Sequence, residues 1–444
     1  SGGRGVSWQE EYQQKTITIP EAISKVSSGM TLQIGIAASE PVGMLDELAR
    51  QAERLQNITT WTCLPMRPYD IFMKPEMEGR IFNENWFYGA PDRAVHNEGR
   101  VSYTPNNLHR AGTDKLIGHG GRLDMVLAVC TPPNAEGFIS LSMGAVVERE
   151  MIDAADLVIL EVNENLPWTD GDVVIPISMV DHFVKFNSPL VQVPPAEPNE
   201  TDEQIGRHVA EFIEDGCTVQ LGIGGTPTAL AGFISDRRHL GVHSELLVDG
   251  IYKLWEAGAV DNSRKTLHPG KFVAAFAIGT QKLYDFMNDS PDVLLMRGSY
   301  VNNPYVIAKN YKMISINTAI QVDVLGQVSS QSLGTRQFSG TGGQLDTHRG
   351  AQMSPGGKGI IALRSTAKNG TISTIVPTLA PGAGVTVPSQ DVDTIVTEYG
   401  SAQLRGLSVK KRMEALINIA HPDFRETIRE DCHRLGIVPD KQYF

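Results

Sequence analysis

The chain has 444 residues, more than one hydrophobic core normally serves, and is 41% hydrophobic and 20% charged, as ordinary globular proteins are. Its net charge of -12, from 39 Lys plus Arg against 51 Asp plus Glu, argues against a nucleic-acid partner, which requires a basic field. Cys63, Cys130, Cys217 and Cys432 share no CxxC or zinc-type spacing, so no metal site and no disulfide framework is indicated.

No run approaches the roughly 18 apolar residues that span a bilayer, and no signal-peptide core is evident at the start. The expectation is a cytoplasmic protein with reduced thiols and no membrane partner. In chain order, residues 31–35, 125–130 and 157–162 read as strands, with a helical pattern over 42–55. A stretch rich in proline and acid, 191–202, reads as a join between domains. A helix over 202–214 follows, then strands at 218–222, 272–278 and 313–317. Alternating strands and helices predict α/β architecture with mainly parallel sheets.

The chain also repeats itself. Residues 28–37 (SGMTLQIGIA) resemble 215–224 (DGCTVQLGIG), and each is followed by a proline, Pro41 and Pro227. A looser echo links 134–140 with 324–329. Two echoes at nearly the same offset predict two related α/β domains, 4–195 and 196–444, with the functional cleft between them.

Two glycine-rich segments are candidates for ligand contact. LGIGGTP (221–227) has the strand–glycine turn–helix form that brings backbone N–H groups to an anion or carbonyl. It lacks the Lys-Ser/Thr ending of a P-loop and the GxGxxG spacing of a dinucleotide fold. Residues 334–358 combine dense glycine, including Gly342 and Gly343, with Arg349 and Lys358, and apolar strands flank them closely. Such a loop inside a compact domain predicts a ligand lying along the backbone. In GVHSE (241–245), Glu245 reads from spacing alone as a carboxylate near a helix start.

At this segment the sequence resembles the catalytic glutamate region of class I CoA-transferases. The resemblance is to the acetyl-CoA hydrolase/transferase and 4-hydroxybutyrate CoA-transferase branch. It runs in order through GIAASEP (35–41), CTPPNAEGFISLS (130–142), LVILEVNENLP (157–167) and LGIGGTP (221–227). It continues through GVHSELLVDG (241–250), SINTAIQVDVLGQV (315–328) and GTGGQLDTHRGAQMSPGGKGIIAL (340–363). TEYGSAQLRGLS (397–408) and AHPDFR (420–425) close it.

The resemblance implies two related α/β domains and Glu245 as a nucleophile that carries CoA as a glutamyl thioester. It implies Gly342 and Gly343, with Gly224 and Gly225, as donors to an oxyanion or to CoA. Asn317 and Lys358 are then expected to bind CoA or orient the glutamate, and Met30, Thr347 and His348 to shape an acyl pocket. The substrates implied are acyl-CoA and a small carboxylate, with no resident cofactor and no metal, in a homodimer or higher homo-oligomer. Thr347 and His348 replace an aromatic and an aliphatic residue usual in the family, and Trp168 a basic one. These exchanges favour a second carboxylate on the acyl group, as in succinate or itaconate. A hydrolase using the same glutamate is the alternative, and a non-enzymatic acyl-CoA or sugar-phosphate sensor a remote one.

Overall fold

The computed structural model describes residues 5–440. The chain forms two compact units, one running to Val193 and including Val273–Val301, the other comprising Pro194–Phe272 and the chain from Asn302.

The first unit is built on a seven-stranded sheet. Its order is His182–Lys185, Ala155–Val162, Leu123–Cys130, Thr31–Ile34, Ile58–Thr62, Ile81–Asn85, Val101–Tyr103. Every pairing in it is parallel. The central strands do not alternate: Met125 through Cys130 are all buried, as expected where helices cover both faces. The helix Val42–Gln51 buries Met44, Leu45 and Leu48 against Leu32, Ile34 and Ile58. Removing such a side chain to Ala costs about 2–5 kcal/mol.

Within the second unit the strands run Gly400–Gln403, Thr394–Thr397, Lys358–Ala362, Met313–Thr318, Thr218–Gln220, Gly241–Leu247. All neighbours printed for these strands are parallel except the edge strand Gly400–Gln403. The internal repeat has a structural counterpart here. Thr31–Ile34 and Thr218–Gln220 hold the same place in their units, each between the next strand in sequence and a later one. The two strands beyond follow the same order as well, Ala155–Val162 then His182–Lys185 in one unit, Lys358–Ala362 then Thr394–Thr397 in the other.

The α/β class with mainly parallel sheets is therefore the observed one. The first break falls between Val193 and Pro194, two residues before the expected boundary at 195/196, and Val273–Val301 also belongs with the first unit. Backbone pairing is the cause: Phe276 bridges Gly144, and Val293–Leu295 pairs in parallel with Asp170–Gly171. A continuous split by sequence cannot anticipate such a return. The helix expected over 202–214 runs Glu200–Ala210, because the Asn199 side chain caps it by accepting the Asp202 N–H at 2.8 Å. Among the described residues, no helix is long and apolar enough to cross a membrane.

Candidate active site

Glu245 lies on the strand Gly241–Leu247, whose register decides what it can meet. Thr218 pairs with Gly241, Met313 with Thr218, Ser315 with Gln220, and Gly359 with Ser315. Parallel partners point to the same face and alternate residues share it. One face of the sheet therefore presents His243, Glu245, Gln220, Ser315, Asn317 and the bare Cα of Gly359. That is an unusually polar face for a parallel sheet. The helix Gln344–Met353 packs over it.

The start of that helix meets the glutamate. The backbone N–H of Gly343 donates to the Glu245 carboxylate, and a Cβ added at Gly343 would come within 2.0 Å of both Glu245 Oε1 and Asn302 Nδ2. Any larger residue there would push both of these side chains aside. Gly342, just before it, has a φ of +54°, a left-handed conformation that glycine adopts without strain. From the other side Asn302, fully buried, donates from Nδ2 to Glu245 Oε1 at 2.9 Å.

Burial of this carboxylate is the main influence on its acidity and raises its pKa to about 7. The nearby Asp346 charge adds to the rise, while the hydrogen bonds from Asn302 and Gly343 oppose it. The result is a group poised near neutrality, half-buried and held by two amide donors. Such a carboxylate can serve as a nucleophile or a proton carrier.

Below the helix lies a second polar cluster. Thr347 Oγ1 accepts from Ser315 Oγ at 2.9 Å and from Asn317 Nδ2 at 3.0 Å, and Ser315 Oγ also reaches Gln220 Oε1 at 2.8 Å. Gln344 fixes the helix start by donating from Nε2 to the Thr318 carbonyl at 2.8 Å. His348 is completely buried, and its Nε2 accepts the Asp393 N–H at 3.0 Å. Accepting there places the ring proton on Nδ1, which faces Gly359. Burial pulls its pKa down to about 4, so the ring is neutral. Thr347 and His348 are thus core residues of the helix–sheet interface, and an acyl pocket lined by them is not what the structure displays.

Gly224 and Gly225 open the helix Gly225–Phe233, with Gly224 at a φ of +138°. They border a cavity of about 350 Å³ that also includes Asp202, Thr318, Ala319, Arg364 and Thr374. The loop leaves its strand beside Ser244, whose hydroxyl donates to the Leu221 carbonyl at 3.2 Å. Lys358 is not brought to Glu245. It pairs with Ile314 and so projects from the opposite face of the sheet, where Nζ donates to Gln403 Oε1 at 3.0 Å and sits 5.4 Å from the Phe212 ring. Met30 packs against the core of the first unit and receives the Ser27 N–H on its sulfur. Trp168 directs its indole N–H to Asp170 Oδ1 at 3.1 Å. Arg349 is clamped on both oxygens of Asp391.

Asn302 was absent from the expectations drawn from sequence. Its neighbours, Asn302-Asn303-Pro304, carry the signature of a turn, and Asn303 does cap the short helix that follows. Nothing in that pattern distinguishes the fully buried asparagine from the partly buried one.

Comparison with known proteins places this geometry in context. The acetyl-CoA hydrolase/transferase N-terminal domain model matches residues 4–195 and the corresponding C-terminal domain model residues 279–432. The 4-hydroxybutyrate coenzyme A transferase of Clostridium kluyveri is 39% identical over 96% of this chain and 99% of its own length. The succinyl-CoA:cyclohexane-1-carboxylate CoA transferase of Geobacter metallireducens is 41% identical over 97% of this chain and 98% of its own. Among solved structures, RipA from Yersinia pestis superposes with a TM-score of 0.91 at 33% identity, covering 98% of this chain and all of that one.

Proposed function

The chain belongs to the acetyl-CoA hydrolase/transferase family, and from that premise we propose a CoA-transferase that exchanges CoA between short-chain acyl-CoA and a free carboxylate, with Glu245 as nucleophile. The observation that carries the reading is the environment of Glu245: a single carboxylate, half-buried, with a pKa of about 7 and amide donors from Gly343 and Asn302 on it.

The chemistry follows from that environment. Glu245 attacks the thioester carbonyl; the C–S bond breaks and CoA leaves as thiolate, giving a mixed anhydride on the glutamyl oxygen. The thiolate then attacks the glutamyl carbonyl, the first acid departs as carboxylate, and CoA remains on Glu245 as a thioester. A second carboxylate reverses both steps. One thioester replaces another, so the sequence balances with no external energy source. A carboxylate is a weak nucleophile toward a thioester. Raised basicity helps it, and backbone donors aimed at the developing oxyanion are worth about 3–4 kcal/mol each in well-studied sites. The Gly343 N–H is the donor best placed for this task.

Substrates of two to five carbons suit the reading, with acetate, butyrate, 4-hydroxybutyrate, succinate and itaconate as candidates. The test is chemical trapping. Incubation with acyl-CoA, reduction with borohydride and peptide mapping should place the modification on Glu245. Modification of another residue, or none in an active preparation, overturns the assignment. Relatives named acetyl-CoA hydrolases, such as that of Kluyveromyces lactis at 28% identity, keep a second outcome in view. Acyl-CoA loss that proceeds equally well without an acceptor acid would identify water as the group that resolves the thioester.

A further inference from the structure

The helix Gly225–Phe233 does not present an empty N-terminus. The carboxylate of Asp202 already sits there: a Cβ on Gly225 would lie 2.2 Å from Asp202 Oδ2, and the Thr226 hydroxyl donates to Oδ1 at 3.3 Å. Asp202 also accepts the Asn199 N–H at 3.1 Å and two nitrogens of Arg364, with Nη2 at 3.0 Å from both oxygens. The first unit also seats a carboxylate at a helix start, there on backbone N–H groups. Glu161 accepts the Gly43 and Met44 N–H groups at the start of Val42–Gln51. In both units an internal carboxylate takes the seat that a phosphate or other anion would need.

In the second unit, unlike the first, that seat borders the cavity of about 350 Å³. Its lining holds one cation and one anion, Arg364 and Asp202, bonded to each other. The rest is glycine backbone, threonine hydroxyl and apolar surface from Ile223, Pro227, Ala319, Ile320 and Leu363. Asp202 is nearly fully buried and paired with the more exposed Arg364, so an arriving phosphate could win only a guanidinium that is already neutralised. An amide chain meets no such penalty: hydroxyls and backbone groups can pair with its polar atoms, and the apolar residues with its methylenes. The volume falls at the lower end for small-ligand sites, about 300–1,000 Å³. The cavity also opens where Thr218–Gln220 and Met313–Thr318 end; the first of these neighbours the strand bearing Glu245, and the second lies one strand farther away.

We propose that Asp202 keeps this cavity electrically neutral and thereby reserves it for the uncharged, amide-bearing pantetheine arm of the thioester, excluding the phosphate-bearing end. The assignment rests on the CoA-transferase reading and adds a specificity-determining residue to it. Asp202 is not a catalytic group. It acts by occupying the anion seat and by cancelling Arg364.

Calorimetric titration of the full chain tests this without turnover, using S-methylpantetheine and, separately, pyrophosphate. The wild type should bind S-methylpantetheine, and Ala367→Trp, which fills the cavity from an exposed rim position, should weaken that binding at least tenfold. Asp202→Asn should bind pyrophosphate at least tenfold more tightly than the wild type, and adding Arg364→Gln should abolish the gain. Wild-type pyrophosphate binding that Ala367→Trp blocks, or S-methylpantetheine binding that it leaves untouched, would overturn the proposal. So would a folded Asp202→Asn protein with no gain; should that variant not fold, the Ala367→Trp comparison decides alone. Trapping on Glu245 reads the transferase chemistry independently, so the two ideas can fail separately.

Discussion

Asn302 donates from Nδ2 to Glu245 Oε1 at 2.9 Å, while its own Oδ1 is buried with no partner among the described residues. The amide is therefore committed in one direction, as a donor to the carboxylate. An orphaned buried acceptor is unfavourable by about 1–3 kcal/mol, so the fold tolerates a local loss to keep that donor in place. Gly343 supplies a second N–H. Together they hold the ionised form that burial and Asp346 disfavour.

A pH dependence follows from this balance. As the proposed nucleophile, Glu245 would attack only as carboxylate, and its pKa is about 7. Formation of the glutamyl-CoA species, followed in a single turnover, should therefore fall about tenfold per unit below pH 7 and level off above it. Asn302→Ala removes a bond that lowers the pKa, so the inflection should move to higher pH. The plateau should also drop by roughly tenfold to a hundredfold, the worth of a hydrogen bond to a charged group. An unmoved inflection would show that another group controls the rate.

Stability should respond in the opposite sense. The folded-state pKa of Glu245 is raised above the ordinary carboxylate value, so the native state holds its proton over a window in which the unfolded chain has lost it. That contribution is complete below about pH 4.5 and is lost as pH rises through 7. Glu245→Gln removes the ionisable group and should raise stability by on the order of 2 kcal/mol at pH 8. At pH 4.5 the change should be small. Denaturant titration at the two pH values checks this, and equal effects at both would refute it.

The two glycines ahead of the helix should behave differently when replaced. A methyl at position 343 collides with both Glu245 Oε1 and Asn302 Nδ2. Gly343→Ala should therefore reduce turnover by more than a hundredfold while disturbing the fold little, because the neighbours are side chains that can move aside. Gly342→Ala forces a side chain into a left-handed conformation. It should lower stability by about 1–2 kcal/mol and affect turnover less. Melting and rate measured on both proteins separate the two effects.

The strands Thr218–Gln220 and Met313–Thr318 were legible from their apolar residues, and the repeat at 28–37 and 215–224 matched the first of them to Thr31–Ile34. The strand Gly241–Leu247 was not, because polar residues lead it and Glu245 alone reads as a helix-start carboxylate. Glu245 and Gly343 were legible through glycine density and resemblance. Lys358 was misplaced because a strand's period of two decides which face a residue takes, and spacing alone did not fix the register. Asn302 was hidden for another reason: the bond it makes to Glu245 spans 57 residues, and no local pattern encodes a contact of that separation. The return of Val273–Val301 to the first unit is of the same kind.

Thr347 offers the last test, because it links the helix bearing Gly343 to the sheet bearing Asn317. Its hydroxyl accepts from Ser315 and Asn317 and donates to the Gln344 carbonyl at 3.4 Å. Thr347→Val keeps the shape but deletes those bonds, leaving the buried Ser315 and the partly buried Asn317 to rely on Gln220 alone or on each other. A loss of about 1–2 kcal/mol is expected. The helix start would also lose a restraint, and with it the Gly343 N–H its aim, so kcat should fall by roughly threefold to tenfold with KM little changed. Thr347→Ser retains the hydroxyl and should restore both. If the serine variant is as impaired as the valine variant, the hydroxyl network does not set the position of the donor.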